Sequence, residues 1–415
     1  MPIAAVPAYL GTDFQHASPG MRFGMYLKLW ERPAWAKTKD KPLEEAKRLN
    51  DNDKKTMAAL CARQQQAFDG IASAAAGLRL DAWSVAPFTT GLGNEHPLEN
   101  GFAFLNPYGL PYLPGSGVKG VLRQAARELA SGDWGKTHGW QGDDQQPFSV
   151  VIDKKPVSLS MSDVLFGRQT RDGESEHVRG ALSFWDVIPQ IAPEDPKKPE
   201  QISLAVEIMT PHQGHYYQEK RDRKTGDSTT PHDSGQPVPI SFLTVPPGSS
   251  FAFHVVCDTA HLRRLAPELI EAGNDGVPVW KTLLTAAFEH AFEWLGFGAK
   301  TAVGYGAMIT QAQQKARAEK AKERAAKDQA AVREQNEIRQ QQQAQPWPEA
   351  RIKFSHRNGA LTVEKGRDTA IAIAPKGEEL LNTLPPEIKQ KVLANQFVRV
   401  TAYVSEGVLV RVASP

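Results

Sequence analysis

One long stretch without glycine or proline constrains this chain more than any other feature. Residues Gln311 to Gln345 are mostly Ala, Gln, Lys, Arg and Glu, and only Val332 and Ile338 are larger apolar residues. Strong helix formers, with pairs such as Glu323 and Lys327, predict one solvated helix about 50 Å long at ~1.5 Å per residue. Because the stretch has no a/d seam for a coiled coil, it is either a plain linker or a helix that binds RNA or a partner.

This stretch separates two folding units, which we predict at residues 1–310 and 349–415, with a helical linker at 311–348. Pro346 and Pro348 end the helix, and Asn358-Gly359 predicts a hairpin turn in the last unit. The expected order of elements is strands at 351–356, 360–364 and 369–374, a helix at 377–394, and strands at 397–404 and 408–412. Three strands, a helix and two strands is the element order of an OB-fold barrel.

The larger unit holds nearly all the aromatic residues and glycines and predicts an α+β fold. Strands are predicted at 23–30, 181–188, 202–209, 251–257 and 303–310, and helices at 43–71 and 279–295. The second helix has an apolar face that includes Trp280, Phe288 and Phe292. Loops or insertions are expected at 131–146, 189–201 and 219–239. The last of these is polar and rich in Gly and Pro, as in segments that are disordered or ordered by a partner.

Composition excludes several classes of protein. Lys and Arg number 49 and Asp and Glu 47, so the net charge of +2 gives no bulk attraction to nucleic acid, and basic residues must cluster to matter. Cys61 and Cys257 are too few for a disulfide framework or a thiolate zinc site. No apolar run reaches the ~18 residues that span a bilayer, and the N-terminus lacks the pattern of a secretory signal. We therefore expect a protein of the reducing cytoplasm.

The strongest local motif is Tyr112-Leu-Pro-Gly-Ser-Gly-Val-Lys-Gly-Val-Leu-Arg123. Its Pro/Gly turn, with Ser116 as the N-cap, predicts a helix with one buried apolar face. Lys119, Arg123 and Arg127 follow at steps of four and form a basic stripe beside that face. Free N–H groups at a helix start, glycines that allow close approach and a cationic stripe suit a phosphate backbone. The alternative is an ordinary surface helix with solvated charges.

A second motif is Gly296-Phe-Gly-Ala-Lys-Thr-Ala-Val-Gly-Tyr-Gly306, between a predicted helix and a predicted strand. It is not a P-loop, because that motif has Gly directly before Lys and lies between a strand and a helix, so NTP hydrolysis is disfavoured. Four glycines exceed what a helix C-cap requires and predict a backbone that approaches another group closely. The candidate contacts of this glycine loop are Gly298, Lys300, Thr301, Gly304 and Tyr305.

A third motif, Met209-Thr-Pro-His212-Gln-Gly-His215-Tyr216-Tyr217, places two histidines beside two tyrosines. His212 and His215 are candidates for metal ligands or for a general base, although no carboxylate cluster or cysteine lies beside them. The alternative is an exposed loop in which His212, His215 and Tyr216 stack on bases or pack locally.

Several pieces of the chain together carry a family resemblance. They are Gly91-Leu-Gly93-Asn-Glu-His-Pro-Leu-Glu-Asn-Gly101, the run from Gly109 to Arg123, and the glycine loop 296–306. Together they resemble the RAMP superfamily of CRISPR-associated proteins. Val206-Glu-Ile-Met-Thr-Pro-His212 and Pro239-Ile-Ser-Phe-Leu-Thr-Val245 narrow the resemblance to the family of the sixth subunit of the type III-B effector, the Cmr complex. Gly117, where the family usually has Ser, and the insertion at 133–146 depart from the pattern, and residues 311–415 lie outside it.

This resemblance implies a ferredoxin-like, RRM-like palm with inserted loops, in a structural RNA-binding subunit of antiviral defence. Such a subunit lies at the end of the helical backbone that holds the 3′ part of the guide RNA. The implied partners are the guide RNA, the target RNA and other subunits of the type III-B complex. From the residues themselves we expect no cofactor, no metal and no membrane association. Target cleavage in such complexes is attributed to another backbone subunit, so no catalytic residue is expected here. Carried over by position, the RNA contacts are Ser116, Lys119, Arg123, Lys300 and Tyr305.

Two other functions stay open on the sequence. The chain is alternatively an RNA endonuclease with His212 or His215 as the base, which cleavage by the purified subunit and its loss in His212→Ala would reveal. It is otherwise a protein-only scaffold whose glycine loops dock neighbouring subunits, which an absence of RNA crosslinks would favour.

Overall fold

The computed structural model describes all residues of the 415-residue chain except 1, 32, 35, 38–41, 72–74, 153, 169–176, 194, 196, 199, 211–238, 274–275 and 415. The chain divides into two compact units, Met1–Gln314 and Lys315–Pro415. Each unit has a hydrophobic core of its own, drawn from buried residues between Phe23 and Met308 in the first and between Ala350 and Val412 in the second. No helix in the described part of the chain is long and apolar enough to cross a membrane.

The first unit combines short helices with many short strands. Its helices are α1 (Pro19–Gly24), α2 (Pro42–Ala46), α3 (Asp51–Ile71), α4 (Gly115–Ser131), α5 (Met161–Phe166), α6 (Thr259–Leu265) and α7 (Val279–His290). Its strands are β1 (Trp30–Glu31), β2 (Ala36–Lys37), β3 (Gly77–Ser84), β4 (Phe104–Leu105), β5 (Leu110–Pro111), β6 (Phe148–Ile152), β7 (Lys155–Leu159), β8 (Gly167–Arg168), β9 (Val178–Arg179), β10 (Leu182–Phe184), β11 (Ala205–Met209), β12 (Ile240–Thr244), β13 (Ser250–Cys257) and β14 (Met308–Thr310).

Four of these strands form one antiparallel sheet in the spatial order β10-β13-β3-β14. Along the chain, the sheet and its helices follow the order β3, α4, β10, β13, α7, β14. Two strand–helix–strand halves therefore interleave in one sheet, because each half places one strand between the strands of the other. The mixed α+β class predicted from the sequence is confirmed.

Helices α4 and α7 pack against each other over one face of this sheet. The buried residues of α4 recur at helical spacing: Val118, Leu122, Ala125, Ala126 and Leu129. From the central strand β13, Phe253 meets Phe288 of α7 at a ring-centroid distance of 5.3 Å and Phe292 at 5.5 Å. Helix α4 ends where Gly132 adopts a left-handed φ of +78°, a conformation that glycine takes without steric cost.

Helix α3 lies against the opposite face, because successive residues of a strand point to opposite faces of a sheet. The ring of Phe68 lies 4.9 Å from that of His254, and Gln65 Oε1 lies 3.3 Å from His254 Nε2. Burial, and after it the nearby charge of Arg79, lowers the pKa of His254. This face of the sheet is therefore partly covered by a helix and is not a fully open platform for bases.

The single helix predicted at 43–71 is two helices, α2 and α3. Between them Arg48 makes an isolated β-bridge with Ser203, so the backbone is extended rather than helical at this point. Helix α3 then starts with a reciprocal cap, in which Asp53 N donates to Asn50 Oδ1 at 2.8 Å and Asn50 N donates to Asp53 Oδ2 at 2.9 Å. Such a pair satisfies amides that have no partner at a helix start.

The strand predicted at 23–30 is wrong. Phe23 lies in helix α1, which begins at Pro19, the first helical position that proline favours. Only Trp30 of that range belongs to a strand. The strands predicted at 181–188, 202–209 and 303–310 are each shorter, as β10, β11 and β14. In the last case Gly304 and Gly306 have positive φ values of +93° and +70°, which interrupt an extended backbone.

The second unit contains most of helix α8 (Gln311–Gln343), which begins in the last residues of the first unit, and a barrel of five strands. Val332 and Ile338 are 56% and 47% exposed, so this helix is solvated, as its composition predicts. The barrel strands are β15 (Gln345–Ser355), β16 (Ala360–Lys365), β17 (Asp368–Ala372), β18 (Arg399–Ser405) and β19 (Val408–Ala413). Two helices, α9 (Lys376–Asn382) and α10 (Pro386–Leu393), stand where one was predicted at 377–394, because Pro385 and Pro386 break it.

These five strands close into a barrel in the order β15-β16-β17-β19-β18, which confirms the small C-terminal β domain. All neighbouring pairs are antiparallel except β17 and β19, which are parallel. Strand β15 accommodates Pro346 and Pro348 through a bulge between Trp347 and Ala350, where Glu349 has a φ of +56°. A bulge is one of the few places where a strand tolerates proline.

We expect truncation after Gln314 to leave the first unit folded, because its core includes no residue beyond that point. This end point keeps the cap in which Gln313 Oε1 accepts from the amide of Thr310 at 2.9 Å. Thermal unfolding should show the transition of the first unit within a few degrees of its value in the full chain.

A truncation after Ala307 is the matched control. It removes β14, whose Met308 is buried and which pairs with β3, so this shorter protein should be insoluble or unfolded. An unfolded protein from the longer truncation as well would show that the tail is integral to the first unit.

Candidate nucleic-acid interface

The start of helix α4 is held by the segment that follows β10. Pro114 is the residue before the helix, so Ser116 lies inside the first turn and is not the N-cap that the motif predicted. The amide of Gly115 instead donates to Asp186 Oδ1 at 2.7 Å. A Cβ on Gly115 would lie 2.2 Å from the carbonyl oxygen of Phe184, so only glycine fits at this contact.

For two further glycines at the start of α4, no close contact within the chain requires the absence of a side chain. Gly117 and Gly120 are exposed, and a Cβ on Gly120 would meet no heavy atom of the described chain within 4 Å. A glycine within a helix is about 1 kcal/mol less favourable than alanine. The first two turns of α4 therefore present bare backbone to the exterior, where a large group can approach closely.

Beside this bare backbone lies a basic cleft of about 300 Å³. Lys119 and Arg123 enter it from α4, and Arg168 and Arg179 enter it from the β8–β9 hairpin. The sequence patterns did not single out Arg168 or Arg179. In the sequence each of them is a single basic residue in a short segment without a motif. Only the pairing of β8 with β9 brings the two arginines to the same cleft.

Among the described residues that line the cleft, the charged side chains are all cations, and two of them pair with acidic neighbours. Arg123 Nη2 lies 3.5 Å from Asp163, and Arg179 Nη2 lies 3.9 Å from Asp258. Arg168 Nη1 donates to the carbonyl oxygen of Ser158 at 2.7 Å. Burial, and after it the charge of Arg123, lowers the pKa of Lys119. A polyanion in the cleft would offset that repulsion between Lys119 and Arg123, since it places negative charge between them.

The predicted basic stripe on α4 is therefore divided. Lys119 and Arg123 share the cleft, whereas Arg127 Nε donates to Asp143 at 2.9 Å. Asp143 belongs to the segment at 131–146 that the sequence marked as an insertion. The structure therefore assigns Arg127 an internal partner and does not bring it to the cleft.

The glycine loop 296–306 approaches the chain's own backbone. A Cβ on Gly298 would lie 2.2 Å from the carbonyl oxygen of Thr89, and one on Gly306 would lie 1.8 Å from that of Phe297. The amide of Ala299 donates to the same Thr89 oxygen at 2.8 Å. The close approach that the glycines predicted is thus packing on the segment that contains Thr89 for Gly298, and packing of the loop on itself for Gly296 and Gly306.

The middle of the loop, residues 300–304, is the more exposed part, whereas Gly296 and Gly306 at its ends are buried. Lys300 has a φ of +60°, Thr301 begins a short 3₁₀ turn, and a Cβ on Gly304 would meet nothing within 4 Å. The ring of Phe242 lies 5.5 Å from Lys300 Nζ and 5.9 Å from the Tyr305 ring. Burial, and after it the charge of Glu207, raises the pKa of Tyr305.

The cleft and the glycine loop stand at opposite edges of the sheet. The loop leads into the edge strand β14, whereas the start of α4 is bound to the segment after the other edge strand, β10. The third motif, with His212, His215 and Tyr216, lies outside the described residues. Within the described ranges, no group of three or more His, Cys, Asp or Glu residues is placed to hold a metal ion.

Comparison with known proteins finds one matching family and one relative of similar sequence. Residues 84–309 match the RAMP superfamily. The CRISPR system Cmr subunit Cmr6 of Pyrococcus furiosus is 28% identical over 251 residues, which are 53% of this chain. The chain spans 64% of the length of that relative.

Two solved structures also align with the chain. A chain of the cryo-EM structure of the type III-B Cmr-beta bound to cognate target RNA aligns with a TM-score of 0.39 and 15% identity, over 65% of this chain and 69% of that one. The crystal structure of Cmr6 from Pyrococcus furiosus aligns with a TM-score of 0.26 and 24% identity, over 56% and 97%.

Gly298 and Gly304 allow a matched test of the glycine loop, because both have a φ of +93°. Alanine in a left-handed conformation costs about 1–2 kcal/mol at either position. Gly298→Ala adds a clash with the Thr89 carbonyl, so we expect it to lower the free energy of unfolding by about 3 kcal/mol or more. Denaturant unfolding of both variants measures the difference, and equal losses would show that the contact with Thr89 is unimportant.

Proposed function

This chain belongs to the RAMP superfamily, and we propose that it is a structural RNA-binding subunit of a type III-B CRISPR effector. The basic cleft beside α4 carries this proposal. Lys119, Arg123, Arg168 and Arg179 face a backbone with two exposed glycines, which is the combination that a phosphate chain requires.

The fold supports the same proposal. A β-α-β-β-α-β order with the spatial order β10-β13-β3-β14 is that of a ferredoxin-like fold, and we assign the palm expected of the family to this sheet. Helix α3 covers part of the sheet face that lies away from α4 and α7. RNA would therefore be held beside the helix start rather than on the open face of the sheet.

The position within the complex rests on the relative. Because the matched protein is a Cmr6 subunit, we propose that this chain is the sixth subunit and holds the 3′ part of the guide RNA while target RNA pairs with it. The other Cmr subunits and both RNAs are its proposed partners. We propose no catalytic residue, and we place the complex in the cytoplasm, where Cys61 and Cys257 stay unpaired thiols.

The cleft residues would contribute differently to RNA binding, because some of them already have acidic partners. Arg123 is paired with Asp163, so it anchors the wall of the cleft and contributes part of its charge. Lys119 has no acidic partner among the described ion pairs, and the side chain of Arg179 is 72% exposed, so these two are the cations best placed for phosphate oxygens. Gly117 and Gly120 would let the phosphate chain approach α4 without a side chain in its path.

Replacement of Lys119 and Arg179 together by Gln tests the cleft. We expect weaker binding of single-stranded RNA and a decrease in the slope of log K against log salt of about 0.7 for each lost phosphate contact. Thermal stability should change little, because neither side chain belongs to the hydrophobic core. Fluorescence anisotropy across a salt series measures both quantities.

The control is Lys54→Gln with Lys55→Gln, which removes the same charge from helix α3 outside the cleft. This pair should leave the slope nearly unchanged. Equal effects of the two double variants would reduce the cleft to bulk electrostatics. No effect of either variant, together with no crosslink between guide RNA and this subunit in the assembled complex, would favour a protein-only scaffold.

A further inference from the structure

The positive charge of this chain is concentrated where the family resemblance ends. Residues 315–415 contain eighteen Lys and Arg against twelve Asp and Glu, whereas residues 1–314 contain thirty-one against thirty-five. The overall charge of +2 is thus the sum of an acidic first unit and a basic second unit. A basic unit of this size attracts polyanions over roughly the Debye length of 8–10 Å.

Part of that charge forms a defined surface on the barrel, which we call the arginine face. It consists of Arg351 on β15, Phe397 just before β18, Arg399 and Tyr403 on β18, and Arg411 on β19. The residues before and after Arg351, Arg399 and Tyr403 are buried or half-buried in the barrel, so these side chains lie on its outer surface. Phe397 is 61% exposed.

Cations lie over both aromatic rings of this face. Arg351 Cζ is 5.0 Å and Arg399 Cζ is 5.7 Å from the centroid of Phe397, and Arg411 Cζ is 4.0 Å from that of Tyr403. Significant cation–π contacts occur on the order of once per 70–80 residues. Three of them on one side of a small barrel therefore mark a specialised surface.

The arrangement leaves positive charge uncompensated. Arg351 and Arg399 are direct cross-strand partners, and like charges directly opposite each other destabilise a sheet. The acids that face them are Glu349, 3.1 Å from Arg399, and Glu364, which is bound to Lys353 at 2.7 Å. An anion placed between Arg351 and Arg399 would relieve their repulsion, since both guanidinium groups already converge on the Phe397 ring.

We propose that the arginine face binds single-stranded RNA, as a second site separate from the cleft beside α4. Guanidinium groups pair with phosphate oxygens, and exposed aromatic rings and stacked guanidinium planes accept bases. The carboxylates of an acidic peptide would pair with the arginines, but they would not stack on the exposed ring of Phe397. The rings therefore favour nucleic acid.

Strands β16 and β17 do not carry a comparable cluster of cations and aromatic rings. The outward residues of β16 and β17 include Thr362, Glu364, Thr369 and Ile371, and their single cation, Lys365, ends β16 opposite the acidic Asp368. Strands 2 and 3 are the usual ligand face of a barrel with this strand order, so here the site lies instead on strands 1, 4 and 5. The two RNA sites of one chain would reinforce each other through effective concentration.

The test uses the full chain with a fluorescent oligouridine of about 12 nucleotides, within the range of site sizes known for such barrels. We expect Arg351→Gln, Arg399→Gln and Arg411→Gln together to weaken its binding about tenfold or more near 0.15 M salt and to lower the salt slope by about 2. Phe397→Ala should weaken binding about fivefold and leave the slope unchanged, because it removes stacking and no charge.

The matched control is Arg367→Gln, Lys389→Gln and Lys391→Gln, which removes the same charge from the β16–β17 turn and helix α10. An equal loss of affinity in this control would refute a defined face. So would oligoglutamate that competes as well as oligouridine, combined with unchanged binding by Phe397→Ala, since the occupant would then be an acidic protein.

Photocrosslinking locates the contact without any variant. Oligouridine containing 4-thiouridine, bound to the wild-type chain, should crosslink to the peptide 397–411. Crosslinks confined to residues 1–314 would overturn the second site and leave the cleft proposal intact. Crosslinks confined to 397–411 would support the second site and contradict the cleft proposal.

Discussion

The contact between the start of helix α4 and the segment after β10 governs the geometry of the basic cleft. Only glycine fits at position 115, against the carbonyl oxygen of Phe184, and the amide of Gly115 donates a hydrogen bond to Asp186. One steric and one polar constraint thus decide where the first turn begins. Lys119 and Arg123 lie one and two turns further on, so their positions beside Arg168 and Arg179 follow from this contact.

Glycines in the two motifs serve opposite purposes, and only the surroundings distinguish them. Gly115, Gly298 and Gly306 lie against the chain's own carbonyl groups, where a Cβ has no room. Gly120 and Gly304 face open space, so close packing explains neither of them; the left-handed φ of +93° favours glycine at 304, whereas helix propensity disfavours glycine at 120. The first group maintains the fold, whereas the second leaves backbone accessible to a partner.

The near-neutral charge of the whole chain is the sum of two units of opposite net charge. In the acidic first unit, the proposed attraction for RNA depends on a local cleft lined by four cations, of which Arg123 and Arg179 pair with Asp163 and Asp258. In the basic second unit, attraction is a property of the whole unit, and the arginine face adds rings that give it direction. Salt should therefore affect both units, while loss of an aromatic ring should affect only the second.

The sequence by itself determined the elements that depend on neighbours along the chain. Apolar spacing predicted α4 and α7, the absence of Gly and Pro predicted α8, and Asn358-Gly359 predicted the turn after β15. These signals are local because dihedral preferences and side-chain periodicity act over a few residues. The same signals failed at 23–30, where Ser18 and Pro19 start a helix that outweighs the strand propensity of the residues after them.

Only the tertiary structure decided which charges meet. Arg168 and Arg179 join Lys119 through the pairing of β8 with β9, and Arg127 leaves the group because Asp143 binds it. The strand order that closes the barrel likewise places Arg411 beside Tyr403 and Arg399 beside Arg351. Periodicity along a chain carries no information about such partners, because contacts between distant segments depend on how whole elements pack.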